Sequence, residues 1–320
     1  MYPIPVLFVF YKRKKLALKT FSQIAKVKPK YLYLFSDYSS DPKIQLEIDA
    51  TRQAILAKIN WPAITKTFFS DSNFGLKYYQ FQAMNWVLKQ CNEKHVIYIE
   101  DDIYCSEDFF RFQQFLLPKY QNDNRILGIA GYNFGLKLES NQTYFLSRLG
   151  WCWGIGFYSR ILQYYNPDIP DYFSIKNDAI YKSRFLNKKI YYALDTQLSL
   201  IAGNKLVSPD MQVYYTSFRY DKYFIVSCKK LVENLGFNVN GHNAFLFTYR
   251  SQIERLTKLK YDNQIEFDNI IEKKYYDTIL QGGWIRLVAI RIFLNLPFRI
   301  RDIIYWIVIR SFKLLSIKKQ

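Results

Sequence analysis

The sequence predicts an α/β protein with a mostly parallel central sheet and helices on both of its faces. Short apolar runs alternate with helical patterns over about the first 130 residues, which is typical of this class. Several of the runs end in polar or charged residues, as strands do at the ligand-binding edge of an open sheet. With 320 residues, half of them hydrophobic, the chain is long enough to bury a sizeable core.

The predicted elements follow one another in a regular order. Five apolar runs are expected to be buried strands: Pro3–Phe10, Tyr31–Phe35, Ala63–Ser70, Val96–Ile99 and Ile126–Ala130. Helices are expected between them: from Tyr11, with Ala17, Phe21 and Ile24 on one face; over Pro42–Leu56; from Gly75; and after Ser106.

The most informative stretch is the acidic end of the fourth predicted strand, where Glu100, Asp101 and Asp102 are consecutive. Ser106 follows as the expected N-cap of the next helix. Three neighbouring carboxylates repel one another unless a cation lies among them, and their oxygens suit Mg²⁺ or Mn²⁺. We therefore expect a site for a metal and a diphosphate, although a solvated acidic loop has the same composition.

Other predicted strands also end in polar residues. Arg13 follows the first strand in a basic turn, Asp37 follows the second and Asn73 follows the third. All of these ends fall along one edge of a doubly wound sheet. A basic group beside metal-binding acids suits a nucleotide diphosphate, and Asp37 can accept hydrogen bonds from a base or ribose. Taken singly, Asp37 and Asn73 are better explained as ordinary loop and N-cap residues.

Together these segments resemble a GT-A nucleotide-sugar glycosyltransferase. Within that superfamily they resemble the branch of the N-acetylglucosaminyltransferase I type enzymes and their bacterial relatives, which carry a Glu-Asp-Asp triplet. The resemblance implies a GT-A, Rossmann-like fold with Asp102 as the direct metal ligand. It also implies that Glu100 and Asp101 contact the ribose or donor sugar, Asp37 the uracil-type base and Arg13 the nucleotide.

The middle of the chain extends the resemblance. Ser147–Arg160 resembles the aromatic, glycine-rich loop of bacterial members, and Trp153 and Arg160 match it and are expected to bind the donor. Ile155 and Gly156 depart from the family pattern. A core aromatic cluster with a turn is the alternative interpretation of this segment.

Two later segments are expected to complete the site. Tyr191–Leu198 resembles the family's W-D-x-Q segment, which implies that Asp195 is the general base, with Asp171 and Asp178 as weaker rivals. The alternative is that Asp195 caps a helix beginning at Thr196.

The segment Leu231–Ala244 resembles a family stretch with a histidine near the metal or pyrophosphate. This resemblance implies that His242 is a second metal ligand. A solvated histidine in a Gly/Asn loop is the alternative, and His95, at a strand start, is expected to be structural.

The resemblance covers roughly residues 3–245, and we divide the chain into a glycosyltransferase domain (1–250) and a helical, basic C-terminal region (251–320). In Trp284–Gln320 eight Lys and Arg residues and one acid, Asp302, alternate with apolar residues. Two basic amphipathic helices broken near Pro297 are typical of in-plane membrane attachment. Packing of these helices on the domain, or a dimer contact, is the alternative.

The overall composition limits the classes of partner and compartment. The formal net charge of +18 indicates an anionic partner such as nucleotide phosphates, a membrane surface or nucleic acid. Four cysteines without CxxC spacing predict neither a zinc cage nor a disulfide framework, and favour a reducing setting. With no signal-peptide pattern at the start, we expect a cytoplasmic protein held at the inner face of the cytoplasmic membrane.

The expected activity is metal-dependent, inverting transfer of a sugar from a nucleotide-diphosphate donor, with UDP favoured, to a glycan or lipid-linked acceptor in surface polysaccharide synthesis. A nucleotidyltransferase that makes sugar nucleotides is one alternative, but its Gly-rich signature with a Lys after the first strand is missing. A basic nucleic-acid-binding protein is the other. It leaves Glu100–Asp102 unexplained, because acids repel phosphate, so we expect no nucleic-acid partner.

Overall fold

The computed structural model describes residues 1–138, 142–186, 188–237, 252–256, 259, 265–279, 296 and 300. Within them the strands are β1 (Val6–Phe10), β2 (Tyr31–Ser36), β3 (Ile64–Phe69), β4 (His95–Glu100), β5 (Ile103–Cys105), β6 (Ile126–Ala130), β7 (Tyr144–Ser147), β8 (Ile155–Tyr158), β9 (Tyr223–Ser227) and β10 (Val232–Asn234). The α-helices are α1 (Lys14–Val27), α2 (Pro42–Leu56), α3 (Gly75–Asn85), α4 (Glu107–Lys119), α5 (Tyr172–Ile175), α6 (Ala179–Ser183), α7 (Lys188–Ala202), α8 (Pro209–Tyr220) and α9 (Asn269–Ile279).

Eight strands form one sheet in the order β3-β2-β1-β4-β8-β6-β9-β7. The first four are parallel neighbours, and β8 runs antiparallel to both β4 and β6. Strand β6 therefore runs in the same direction as β4. Strand β9 is parallel to β6, and β7 is antiparallel to β9. Six of the eight strands thus share one direction, which confirms the predicted α/β class with a mostly parallel sheet. A separate pair joins β5 and β10.

Helices cover both faces of this sheet, as the register of two neighbouring strands demonstrates. Leu7 lies opposite Tyr33, so these two side chains share one face, and Phe8 points to the other. The Phe8 ring packs 5.4 Å from that of Phe21 on α1, whereas the Tyr33 ring packs 5.6 Å from that of Trp86, just after α3. All five residues of β1 are buried, as expected of a strand between two parallel neighbours.

Local signals define several helix ends as predicted. Helix α2 has the bounds expected from the sequence, and the Asp41 side chain caps it by accepting from the Lys43 and Ile44 amides. Ser106 caps α4, because its hydroxyl accepts a hydrogen bond from the Phe109 amide at 3.2 Å. These caps position the two loops that leave β2 and β4.

Helix α9 covers the edge strand β7 at the far side of the sheet. The Tyr275 ring lies 5.2 Å from that of Phe145, and the buried Glu272 carboxylate accepts a hydrogen bond from the Arg148 amide at 2.9 Å. This packing helps to bury the edge strand β7. Part of the predicted C-terminal region therefore packs on the domain.

Most of the segment from Trp284 to the C-terminus lies outside the described residues, and so does the prediction that it forms two amphipathic helices. Among the helices of the described part of the chain, none is both long and apolar enough to cross a bilayer.

His95 begins β4 and has the structural surroundings expected of it. Its ring packs edge-on against Tyr158, with 6.2 Å between the ring centroids. Burial, with smaller contributions from the Lys94 and Arg160 charges, lowers the pKa of His95 to about 4. The imidazole is therefore neutral in the folded protein at pH 5 to 7.

We predict that His95→Phe makes stability less sensitive to acid. An unfolded histidine has a pKa near 6.5, so between about pH 6.5 and pH 4 the unfolded wild type binds an extra proton and the folded state loses stability as the pH falls. Between pH 7 and pH 4, the free energy of unfolding of the wild type should fall by about 1–3 kcal/mol more than that of the variant. Urea titrations at several pH values measure this difference. Parallel pH profiles for the two proteins would contradict it.

Candidate functional site

The strand order reverses between β1 and β4, which makes this place a topological switch point of the sheet. Strand β1 connects to β2 on one side, and the chain returns from β3 to place β4 on the other. Such a switch point leaves a crevice beyond the carboxyl ends of the two strands, where open α/β sheets bind ligands. Arg13 follows β1, and the run Glu100–Asp102 starts at the last residue of β4. The structure therefore brings the predicted basic and acidic residues together at this crevice.

Arg13 bridges the two aspartates directly. Its guanidinium hydrogen-bonds to the Asp101 carboxylate and lies 3.0 Å from Asp102 Oδ2. Asp101 is only 4% exposed, and its carbonyl accepts a hydrogen bond from the Thr20 hydroxyl at 3.0 Å. Burial raises the pKa of Asp101 to about 6 despite the opposing charge of Arg13. Burial also opposes the charge on Arg13, but the two aspartates outweigh it and raise the pKa of the guanidinium.

Glu100 is held by two tyrosine hydroxyls. Tyr98 donates to its carboxyl group at 2.8 Å from the same strand, and Tyr79 donates to the same oxygen from α3. Burial, and then the charge of Asp102, raise the pKa of Glu100 to about 8. This upward shift favours the neutral form of Glu100, which lessens the repulsion within the acidic run.

A turn after β10 covers Asp102. The Leu235 amide donates to the Asp102 carbonyl at 2.7 Å, and a Cβ added to Gly236 would lie 2.4 Å from Asp102 Oδ2. Only glycine therefore fits beside this carboxylate. This turn belongs to Leu231–Ala244, the segment that was predicted to contribute a metal ligand, and the structure describes it as far as Phe237. The described part of the segment therefore contacts Asp102.

Asp210 joins the acidic residues, although no motif in the sequence predicts it as part of the site. It lies in the first turn of α8, where its charge raises the pKa of Glu100. Burial, opposed by hydrogen bonds from the Cys152 thiol and amide, raises the pKa of Asp210 itself to about 6, with a further contribution from Asp102. Ser208-Pro209-Asp210 is recognisable as a helix start, but nothing in the sequence indicates which strand end that start faces.

One oxygen of Asp102 is available to a metal ion within the described residues. Asp102 Oδ1 is buried and accepts a hydrogen bond from none of them, so an acceptor is available there. Those residues contain no group of three or more His, Cys, Asp and Glu side chains placed to hold a metal ion. Mg²⁺ and Mn²⁺ in nucleotide sites need only one or two carboxylates, because phosphates and water supply the other ligands. Asp102 fits that limited role, and His242 lies outside the described residues.

Trp153 reaches the same edge of the sheet because β8 is reversed. Ile155 at the start of β8 pairs with Tyr98 near the end of β4, so the preceding loop lies beside the acidic run. Trp153 is nevertheless 8% exposed and packs 4.8 Å from Tyr132 and 5.2 Å from Trp151 between ring centroids. The alternative of a core aromatic cluster thus describes its packing, and donor contact by Trp153 stays a prediction.

Arg160 lies at the opposite edge of the sheet, which corrects its predicted place in the donor site. Tyr158 at the end of β8 pairs with His95 at the start of β4, and Arg160 follows. Its guanidinium donates to the Ile126 carbonyl at 2.6 Å and to the Gln121 carbonyl, and stacks 4.2 Å from the Tyr158 ring centroid. The sequence match failed because it did not account for the reversed direction of β8.

The Asp37 carboxylate caps the start of α3. Its carboxylate accepts hydrogen bonds from the Phe74 and Gly75 amides at 3.0 Å, at the start of α3, and from the Tyr38 amide at 2.8 Å. This is the loop-and-cap role that the sequence analysis kept open, and its contact with a base stays a prediction. Asn73 is exposed immediately before α3.

Asp195 lies inside α7, so the idea that it caps a helix beginning at Thr196 is wrong. Its carboxylate accepts hydrogen bonds from the Tyr172 hydroxyl at 2.6 Å and the Lys176 ammonium at 3.2 Å. These partners come from α5 and the residue after it, not from the acidic run.

The two alternative candidates for the general base also have partners within the protein. Asp178 caps α6 by accepting from the Tyr181 amide at 2.8 Å, and Asp171 pairs with Arg219 at 2.8 Å. Their roles are accounted for by local structure.

No protein-family model matches this chain, and no curated protein matches it. The family resemblance therefore depends on the short motifs named above.

We predict that Arg13→Gln lowers the free energy of unfolding by about 1–3 kcal/mol, because it leaves the Asp101 carboxylate buried without its cation. The partial exposure of Arg13 limits the loss. The double variant with Asp101→Asn should recover at least half of it. Urea denaturation measures both changes.

Arg111→Gln is the matched control, since it breaks an exposed pair with Asp108 and should cost less than about 1 kcal/mol. Equal losses for Arg13→Gln and Arg111→Gln would contradict the importance of the buried pair.

Proposed function

We propose that the protein is a metal-dependent, inverting glycosyltransferase that uses a nucleotide-diphosphate sugar, with UDP favoured. The observation that carries this proposal is the joint position of Arg13 and Glu100–Asp102 at the switch point between β1 and β4. The strand order β3-β2-β1-β4 corresponds to the nucleotide-binding part of a Rossmann-like sheet. This arrangement supports a site for a nucleotide with its phosphates at the acidic run.

Each group at the crevice has a chemical task in this proposal. Asp102 would hold Mn²⁺ or Mg²⁺, which stabilises the negative charge that develops on a leaving diphosphate. Arg13 keeps Asp101 and Asp102 in place and provides a fixed positive charge for the phosphates. Glu100, oriented by Tyr79 and Tyr98, can donate a hydrogen bond to ribose or sugar oxygens when it is protonated.

We assign the general base to Asp210 in preference to Asp195. An inverting transfer needs one carboxylate that accepts the proton of the acceptor hydroxyl near the leaving group. Asp210 interacts electrostatically with both Glu100 and Asp102, and Cys152 orients it. The Asp195 carboxylate is occupied by Tyr172 and Lys176 instead.

The acceptor is proposed to be a glycan or lipid-linked glycan, because the basic amphipathic pattern of Trp284–Gln320 suits the anionic face of a membrane. This would keep the enzyme at the cytoplasmic membrane, near intermediates of surface polysaccharide assembly.

The first test is calorimetric titration of UDP with Mn²⁺ present. We predict that Asp102→Asn weakens UDP binding at least tenfold in Mn²⁺ and much less in EDTA, because it removes the carboxylate that holds the ion. Glu47→Gln on the exposed surface of α2 is the matched control and should bind like wild type.

Other outcomes separate the alternatives. A protein that ignores UDP but binds single or double strands with a steep salt dependence is a nucleic-acid-binding protein. One that releases pyrophosphate from UTP and a sugar phosphate is a nucleotidyltransferase. Either result would overturn the proposal.

The second test addresses the base, with a panel of sugar nucleotides and release of UDP as the readout. We predict that Asp210→Asn lowers turnover about 10²–10⁴-fold and leaves UDP affinity within about threefold of wild type. Asp195→Asn should lower turnover far less, in proportion to any loss of folded protein measured by circular dichroism. The reverse ranking of the two variants would restore Asp195 as the base.

A further inference from the structure

The helices α5, α6 and α7 form a layer whose inner side packs on α8. The Tyr172 and Tyr181 rings lie 5.6 and 6.3 Å from the ring of Tyr215, and Phe185 stacks on Phe218 with 4.2 Å between centroids. These contacts identify the side of the layer that faces the protein. The remaining side chains of residues 172–192 that are exposed therefore lie on its outer side.

That outer side displays large apolar groups. Phe173 is 56% exposed, Ile180 67% and Tyr192 48%, one on each of the three helices. Single exposed apolar residues are ordinary on a protein surface, whereas apolar groups rimmed by polar residues mark interaction sites. We call these residues, together with the cations described next, the α5–α7 surface.

The cations of this surface outnumber its acids. Helices α5–α7 and their connections, residues 172–202, contain five Lys and Arg residues and two acids, Asp178 and Asp195. Lys182, Lys188 and Lys189 are exposed, and the Lys182 ammonium lies 5.5 Å from the centroid of the Tyr191 ring. The Asp178 carboxylate caps α6 and offsets the charge of one lysine only.

The other two cations have specific contacts. Arg184 is turned inward and donates to the Phe218 carbonyl at 2.7 Å. Lys176 connects the surface to the interior, because its ammonium lies 5.8 Å from the Phe173 ring centroid and 3.2 Å from Asp195 Oδ1. Basic and aromatic groups of this layer therefore lie in contact at two places, Lys176 with Phe173 and Lys182 with Tyr191.

We propose that the α5–α7 surface binds a membrane that contains anionic lipids, with Phe173 and Ile180 entering the interfacial region and Lys182, Lys188 and Lys189 contacting the headgroups. Aliphatic and aromatic side chains surrounded by lysines match the two parts of such an interface, apolar acyl chains below anionic headgroups. Neither a soluble glycan nor a nucleic acid would favour contact with an exposed isoleucine. The proposal does not depend on sugar transfer, so either can fail without the other.

The full chain is tested by co-sedimentation with vesicles of phosphatidylcholine alone and with about 30 mol% phosphatidylglycerol. We expect Lys182→Gln/Lys188→Gln/Lys189→Gln to lower the partition coefficient on the anionic vesicles at least tenfold, and Phe173→Ser/Ile180→Ser to lower it at least fivefold. The control Leu46→Ser/Ile64→Ser changes two exposed apolar residues of α2 and β3 and should stay within twofold. Unchanged partition of both test variants would overturn the proposal.

A second measurement does not depend on loss of binding. In a Cys91→Ser background, Ile180→Cys carrying an environment-sensitive fluorophore should brighten and shift to shorter wavelength when the anionic vesicles are added. The same label at Leu46→Cys should not respond. No response at position 180 from protein that sediments with vesicles, or selective loss of RNA or glycan binding in the lysine variant, would also overturn the proposal.

Discussion

The candidate site depends on the ion pair between the partly exposed Arg13 and the buried Asp101, which lie beyond two neighbouring strand ends. Arg13 leaves β1 as that strand ends, and Asp101 follows β4 directly, so their pairing ties together the loops on both sides of the switch point. A carboxylate that is 4% exposed is costly without a cation. Because Arg13 also reaches Asp102, the same contact sets the position of the carboxylate proposed to bind the metal.

Around this pair, the remaining carboxyl groups avoid mutual repulsion in different ways. Glu100 gains a raised pKa and two tyrosine donors, while Asp210 is placed at a helix start and hydrogen-bonded by Cys152. The result is a group of four acids in which a proton, a guanidinium and a helix terminus each offset part of the negative charge. These local compensations allow four acids to lie close together within a stable fold.

Much of the fold follows from local patterns in the sequence, but the membership of the site follows from topology. The bounds of α2 and the cap at Ser106 could be predicted because they are determined by residues next to one another. Arg160 was misplaced because nothing near it in sequence indicates that β8 is reversed. Asp210 was missed for the related reason that over 100 residues separate it from the acids it joins. Asp195 had a convincing motif, yet its partners lie on α5 and not at the sheet edge.

The reversed strand β8 also has a mechanical consequence. It is hydrogen-bonded to β4 on one side and β6 on the other, so it is the seam between two groups of parallel strands. Arg13 and the acidic run belong to the first group, whereas Cys152 and Asp210 follow β6 in the chain. A protein split between β6 and β7 would therefore leave neither fragment with the whole constellation. Reassembly of the two fragments across β8 would restore it in one step.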